Sequence, residues 1–177
     1  MSQFHFIDTG AWHESLSVSA PQAQPLLAAL GIQTGHWAEP IRRVSSVPQL
    51  HYARPLDALQ RRFDSALTDR IQLRPGPRGA LIWPEPEGEH AHDECEVRVV
   101  LAGWARFIVR TPATGRSVEL LAEPGDWIAL PPGLPHTLEP SREPRLDMLR
   151  LFSRREALAE RRSRVEPANT ALRAMAA

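Results

Sequence analysis

Six short β-prone runs fill the stretch from Ala80 to Phe152: Ala80–Trp83, Glu96–Leu101, Ala105–Arg110, Ser117–Leu121, Trp127–Leu130 and Leu146–Phe152. Clusters rich in Pro and Gly punctuate them at 75–79, 111–115, 123–125 and 131–133. Each such strand buries one face and needs a second sheet to cover it, so strands and turns at this spacing close into a sandwich or barrel. A mainly β fold follows, a sandwich or barrel over residues 76–153. Residues 1–75 are expected as a helical and extended segment packed on the barrel, and residues 154–177 as a charged helix and tail.

The flanking segments carry helical signals. Leu26, Leu27 and Leu30 share one face of a helix over Gln22–Leu30, with Gly31 as its stop. Leu56, Leu59, Phe63, Leu67 and Ile71 recur at spacings of three and four, which predicts one helix over Arg54–Ile71 with Pro55 in its first turn. Ser153 followed by Glu156 forms a capping-box signature, so a charged helix is expected from there.

Composition sets the outer bounds. The chain has 177 residues, enough to bury a core without disulfides, and its single cysteine, Cys95, excludes an intrachain bridge. Twenty-one acidic residues balance 21 basic ones, all Arg, which argues against a nucleic-acid partner. Eight Arg stand against four acidic residues between Arg142 and Arg164 and read as a solvated face. No apolar run approaches the roughly 20 residues of a membrane helix. The start, Met1 to Phe6, lacks the charged end and apolar centre of a signal peptide, so a cytoplasmic location and no membrane partner are expected.

Chemistry concentrates in His90-Ala-His92-Asp-Glu94-Cys-Glu96-Val-Arg98. On an extended strand His90 and His92 project from the same face, and Glu96 and Arg98 have the same parity, provided the pleat runs through the polar residues between them. Imidazoles with a carboxylate suit Fe, Ni, Mn or Zn. Further on, the turn at Pro131–Gly133 delivers His136 onto a following strand, where it would complete a set of three His and one Glu. Two positions of an octahedral ion would then stay open for substrate and O₂ or water. Cys95 has the opposite parity and reads as a packing residue. Gly125 and Asp126 read as a tight turn. His5, His13, His36 and His51 show no partner pattern.

Two spacings in this region resemble those of the cupin superfamily. His-x-His-x₃-Glu-x₆-Gly is met by His90, His92, Glu96 and Gly103, and Gly-Asp-x₄-Pro-x-Gly-x₂-His by Gly125, Asp126, Pro131, Gly133 and His136. Within that superfamily the first motif is similar to that of the acireductone dioxygenases, His-x-His-x-Glu-Asp-Glu-Val-Arg, from which only Cys95 departs. Trp12-His13, the segment Leu30–Ile32, Trp37 and Leu149–Phe152 extend the likeness over about residues 4–155.

The resemblance implies a single cupin jelly-roll barrel and metal ligation by His90, His92, Glu96 and His136, with Fe(II) as cofactor and Ni(II) as the other metal the family uses. It implies a small ene-diol substrate and O₂, cleaved to a keto acid and formate as in methionine salvage, and a monomer or homodimer. Arg98 would stabilise anionic species, and Glu94 would orient a ligand His or act as a base. The chain departs from the first cupin motif at Pro84, where a Gly is often found, and from the acireductone dioxygenases at Thr137 and Leu138, where aromatics are usual, and at Arg154–Ala157, where a Pro-Glu-Gly-Trp-like segment is usual. These departures touch the pocket and leave two alternatives open. One is a related oxygenase acting on a different ene-diol, diketone or thio-substrate. The other is a non-redox cupin, an isomerase or a ligand-binding module, since one fold hosts many functions.

Overall fold

A computed structural model describes residues 6–8, 20–37, 53–83, 88–111, 117–153 and 161–162. In chain order the elements are β1 (Phe6–Asp8), α1 (Ala20–Ala29), β2 (Gln33–His36), α2 (Ala53–Phe63), β3 (Leu67–Gln72), β4 (Arg74–Pro75), β5 (Leu81–Ile82), β6 (His90–Ala91), β7 (Glu96–Ala102), β8 (Ala105–Arg110), β9 (Ser117–Ala122), β10 (Asp126–Leu130), β11 (His136–Pro140), β12 (Asp147–Phe152) and β13 (Arg161–Arg162). One sheet runs β1-β9-β8-β11-β6-β13 and the other β2-β10-β7-β12-β3, while β4 and β5 form a small separate hairpin. The long strands expected from the sequence thus form the body of a two-sheet antiparallel barrel.

Side-chain alternation explains the layering. On β8, Ala105, Phe107 and Val109 are buried, and the residues between them are half-buried. On β9, Val118, Leu120 and Ala122 do the same. Their buried faces join Val100, Ile128, Leu130, Leu138 and Met148 in one apolar cluster between the sheets. Strands β7 and β10 are buried on both faces. The second face of β7, carrying Val97, Val99 and Leu101, packs with Trp127, Leu149 and Leu151 beneath Leu56, Leu59 and Phe63 of α2. The helix therefore covers the outer face of the five-stranded sheet. Residues of the opposite parity on β7, Glu96 and Arg98, are left on the inner face with Val100.

Both helices end as local chemistry dictates. After α1, Gly31 takes φ +71°, and its N–H and that of Ile32 return to the carbonyls of Ala28 and Leu27. The helix expected over Arg54–Ile71 is shorter. It stops at Phe63, where Asp64 turns to φ +48° and the Ser65 N–H bonds back to the Gln60 carbonyl at 2.9 Å. Leu67 and Ile71 lie instead on β3, paired with Phe152 and Met148 of β12. A spacing of four fits one face of a helix and also one face of a strand, so the apolar stripe continues across the change of structure.

The charged helix expected from Ser153 falls largely on residues 154–160 and 163–177, outside the described residues. At Arg161–Arg162 the chain is a strand, not a helix, and it pairs with Ala91 and His90 of β6. No helix among the described residues is long and apolar enough to cross a membrane.

Candidate metal centre

His90 stands on β6 and His136 on β11, and the two are direct cross-strand partners in the six-stranded sheet. The polar stretch after His92 does not continue the strand. Asp93 and Glu94 bend the chain, and β7 starts at Glu96 in the opposite sheet. The single-strand parity expected for His90, His92 and Glu96 is therefore corrected: the chain crosses between sheets, and the residues meet in the interior from both sides. The Pro-Pro-Gly turn closes this crossing, since the Gly133 N–H donates to the His92 carbonyl at 2.8 Å. A paired Arg110 and Glu89, with contacts of 2.6 and 2.7 Å, fixes the entry to His90.

One nitrogen from each of His90, His92 and His136 lies within 4.8 Å of the others, and all three residues are buried. Their ring centroids are 4.5 to 5.7 Å apart. Glu96 joins them, with Oε2 at 3.0 Å from His136 Nε2 and Oε1 at 3.3 Å from His92 Nε2.

The backbone sets the tautomers. His90 Nδ1 lies 3.0 Å from the Gly88 carbonyl and His136 Nδ1 lies 2.9 Å from the Leu134 carbonyl. A carbonyl only accepts, so each Nδ1 donates, and in the neutral ring each Nε2 turns a lone pair inward. The His90 Nε2 atom is buried with no hydrogen-bond partner among the described residues. Lone pairs and a carboxylate converging on one point repel unless a cation lies between them, so the donor set fits a divalent ion. The carbonyls of Gly88 and Leu134, both two residues before the His they hold, were not visible in the sequence, because a backbone acceptor has no residue-type signature.

Burial pushes the His90 imidazole down, which favours the neutral, ligating form. Burial alone would raise Glu96. The Arg98 charge, with contacts from His136 and His92, outweighs it and holds the carboxyl well below the usual carboxylate range. Arg98 is 1% exposed and donates from Nε to Glu96 Oε1 at 2.6 Å. Its NH2 also contacts Oε1, and its NH1 reaches the Met148 sulfur at 3.7 Å.

The bend places Glu94 against the Ser153 hydroxyl, which donates to it. Glu94 lines a small recess with His92, Glu96, Arg150 and Phe152. Cys95 is half-buried against the α2-side cluster, and burial pushes its thiol up. A larger cleft of about 380 Å³ runs along the β11 edge past Leu138, with Leu73, Leu81, Trp83 and Gly88 facing it.

His36 had no partner pattern, yet its Nδ1 lies 2.8 Å from Asp126 Oδ1. Asp126 Oδ2 accepts the Glu123 N–H at 3.0 Å, so the aspartate ties the turn before β10 to β2. Asp126 sits at the end of β10 opposite Leu130, the cross-strand partner of Glu96. Asp126→Ala should therefore lower stability by about 1–3 kcal/mol in urea unfolding of the metal-free chain. Its metal affinity should stay within about twofold of the parent in a Co(II) titration, and a larger loss would tie Asp126 to the centre.

A two-sheet barrel with three inward His and one Glu defines a metal-binding cupin. The family model described as ARD/ARD′ matches residues 87–159, which span both sets of converging residues. An acireductone dioxygenase of Pectobacterium atrosepticum is 31% identical over 136 residues, covering 74% of this chain and 77% of that protein. One of Synechococcus is 29% identical over 143 residues, 77% of each chain. The solved structure of "Acireductone dioxygenase from Bacillus anthracis with cadmium ion in active center" superposes with a TM-score of 0.74 over 91% of this chain and 99% of that one, at 16% identity, a likeness of fold. The chain belongs to the acireductone dioxygenase family.

Proposed function

We propose that the protein is a divalent-metal-dependent dioxygenase that cleaves an acireductone with O₂, and that His90, His92, Glu96 and His136 hold the metal. The observation that carries this reading is the convergence of three imidazoles, two with their tautomers fixed by backbone carbonyls, on one buried carboxylate. Fe(II) is the metal proposed for the keto-acid reaction, and Ni(II) the other ion that this donor set would accept. When bound, the ion supplies a Lewis-acid centre that orients the ene-diol oxygens and brings O₂ beside them.

The chain's own residues do the rest. The centre lies inside the barrel, where burial in a low-dielectric interior strengthens every charge interaction. Glu94 is the base that receives a hydroxyl proton of the ene-diol, since it lines the recess beside His92 and Glu96 without being one of the converging atoms. The cleft along Leu138 and Trp83 takes the substrate's apolar arm. Cleavage breaks the bond between the two ene-diol carbons, and each carbon gains one oxygen atom from O₂. One becomes the carboxyl of the keto acid and the other becomes formate. The working unit is a monomer or homodimer.

Reconstituting the metal-free chain with Fe(II) without air, then adding a synthetic acireductone and O₂, should give rapid loss of ene-diol absorbance with one formate per turnover. Loss no faster than the uncatalysed rate, with Fe(II) bound, would refute the substrate assignment.

A further inference from the structure

We infer that Arg98 is a positioning residue for Glu96: it engages Oε1 and so presents Oε2 to the metal, rather than touching substrate. This rests on the reading of Glu96 as a ligand. Arg98 follows Glu96 by two residues on β7, on the same inner face, and its cross-strand neighbours are Ile128 of β10 and Arg150 of β12. Next on that face stands Val100, in the apolar cluster with Ile128 and Met148. The guanidinium thus lies between the polar centre and the core, at 1% exposure. Its direction is set from both ends, Nε at 2.6 Å and NH2 in contact with Glu96 Oε1, NH1 at the Met148 sulfur.

The two carboxylate oxygens are divided between two tasks. Oε1 takes the guanidinium and lies 3.3 Å from His92 Nε2, while Oε2, 3.0 Å from His136 Nε2, is buried without a hydrogen-bond partner among the described residues. Holding Oε1 on the guanidinium disfavours ligation through both oxygens, so the arrangement favours single-oxygen ligation through Oε2 and leaves coordination positions for other molecules. A guanidinium suits this task because its planar fork matches a carboxylate and stays charged when buried.

The test uses the full chain, made metal-free and titrated with Co(II), whose visible ligand-field absorption reports the donor geometry. Glu96→Gln should weaken Co(II) binding at least tenfold. Arg98→Met should weaken it about 10–100-fold, as loss of the partner of a metal ligand does, and should shift the absorption bands. Arg98→Lys should recover part of both. In the Glu96→Gln background, Arg98→Met should add less than about twofold, because the group it acts on is already altered. Wild-type Co(II) affinity and spectrum in Arg98→Met, with a raised KM for the ene-diol, would overturn the inference and make Arg98 a substrate contact. A full additional loss in the double variant would also overturn it. Unchanged affinity in Glu96→Gln would instead remove Glu96 from the ligand set, the failure of the underlying reading. Should Arg98→Met not unfold cooperatively, Arg98→Gln decides: wild-type Co(II) affinity and an unshifted spectrum in a folded Gln variant overturn the inference.

Discussion

Replacing His136 by alanine should abolish tight metal binding and lower turnover by about 10³-fold or more, while the barrel still folds. His136 is 2% exposed, is the cross-strand partner of His90, and brings Nε2 to 3.0 Å from Glu96 Oε2. Its Nδ1–H bond to the Leu134 carbonyl holds that nitrogen in place, so no other side chain substitutes for it at low cost. Loss of a ligand should exceed the roughly 10–100-fold penalty seen when a ligand's supporting partner is removed. The metal's charge stabilisation amounts to several kcal/mol, and each 1.36 kcal/mol is a factor of ten in rate, which sets the figure for turnover. The barrel survives because β11 is held by its five-residue ladder to β8, which does not involve the imidazole. Metal content after dialysis, Co(II) titration and formate yield check the three parts. A His136→Ala protein that keeps stoichiometric metal through dialysis would remove His136 from the centre.

Gly103→Ala is expected to act on the opposite property. It should destabilise the metal-free chain by about 2–5 kcal/mol, from the cost of a left-handed backbone for a residue with a Cβ and from overpacking. At this chain length that corresponds to a fall in Tm of roughly 5–15 °C. Gly103 ends β7 with φ +72°, and a Cβ there would stand 2.4 Å from Ser141 Oγ, 2.8 Å from the Pro144 carbonyl and 2.9 Å from Leu146 Cα. Two of these atoms are backbone and cannot rotate away. The Ser141 hydroxyl is also engaged: it accepts the Trp104 N–H at 2.8 Å and donates to the Pro144 carbonyl at 2.6 Å. This turn is at the far end of β7 from Glu96, so the affinity of the folded fraction for Co(II) should be unchanged. Thermal unfolding without metal checks the stability, and a Tm within 2 °C of the parent would show that the 103–146 corner yields where the packing says it does not. The last Gly of the first motif is thus read as a requirement of the fold, and the His of the second as a requirement of the chemistry.

The pairing of these two outcomes reflects what kind of information each residue carries. Strand β8 was legible as Ala105–Arg110 because alternate residues meet core and solvent, and β9 for the same reason. The end of α1 was legible because Gly31 is the residue a left-handed stop favours. The residue types that converge in the centre and their spacing, His90, His92, Glu96 and His136, were in the sequence as well, and so was the family.

Where the pattern had two solutions, the sequence did not choose. Leu67 and Ile71 fit a helix or a strand equally, and pairing with β12 selected the strand. A shared face for His92 and Glu96 depended on one pleat running through the polar residues between them, and the chain instead bends there and changes sheets. The bond from Arg98 to Glu96 was foreshadowed only by their shared parity, and those from His36 to Asp126 and from the ring nitrogens to the carbonyls of Gly88 and Leu134 had no signal at all.

Residue order by itself determined which groups are available and which faces are apolar, because burial follows a local periodicity of two or 3.6 residues. Only the tertiary structure decided which oxygen of Glu96 takes the arginine and which is left without a hydrogen-bond partner beside the imidazoles. That division depends on where two sheets place groups far apart in the chain, and on backbone acceptors that every residue carries alike.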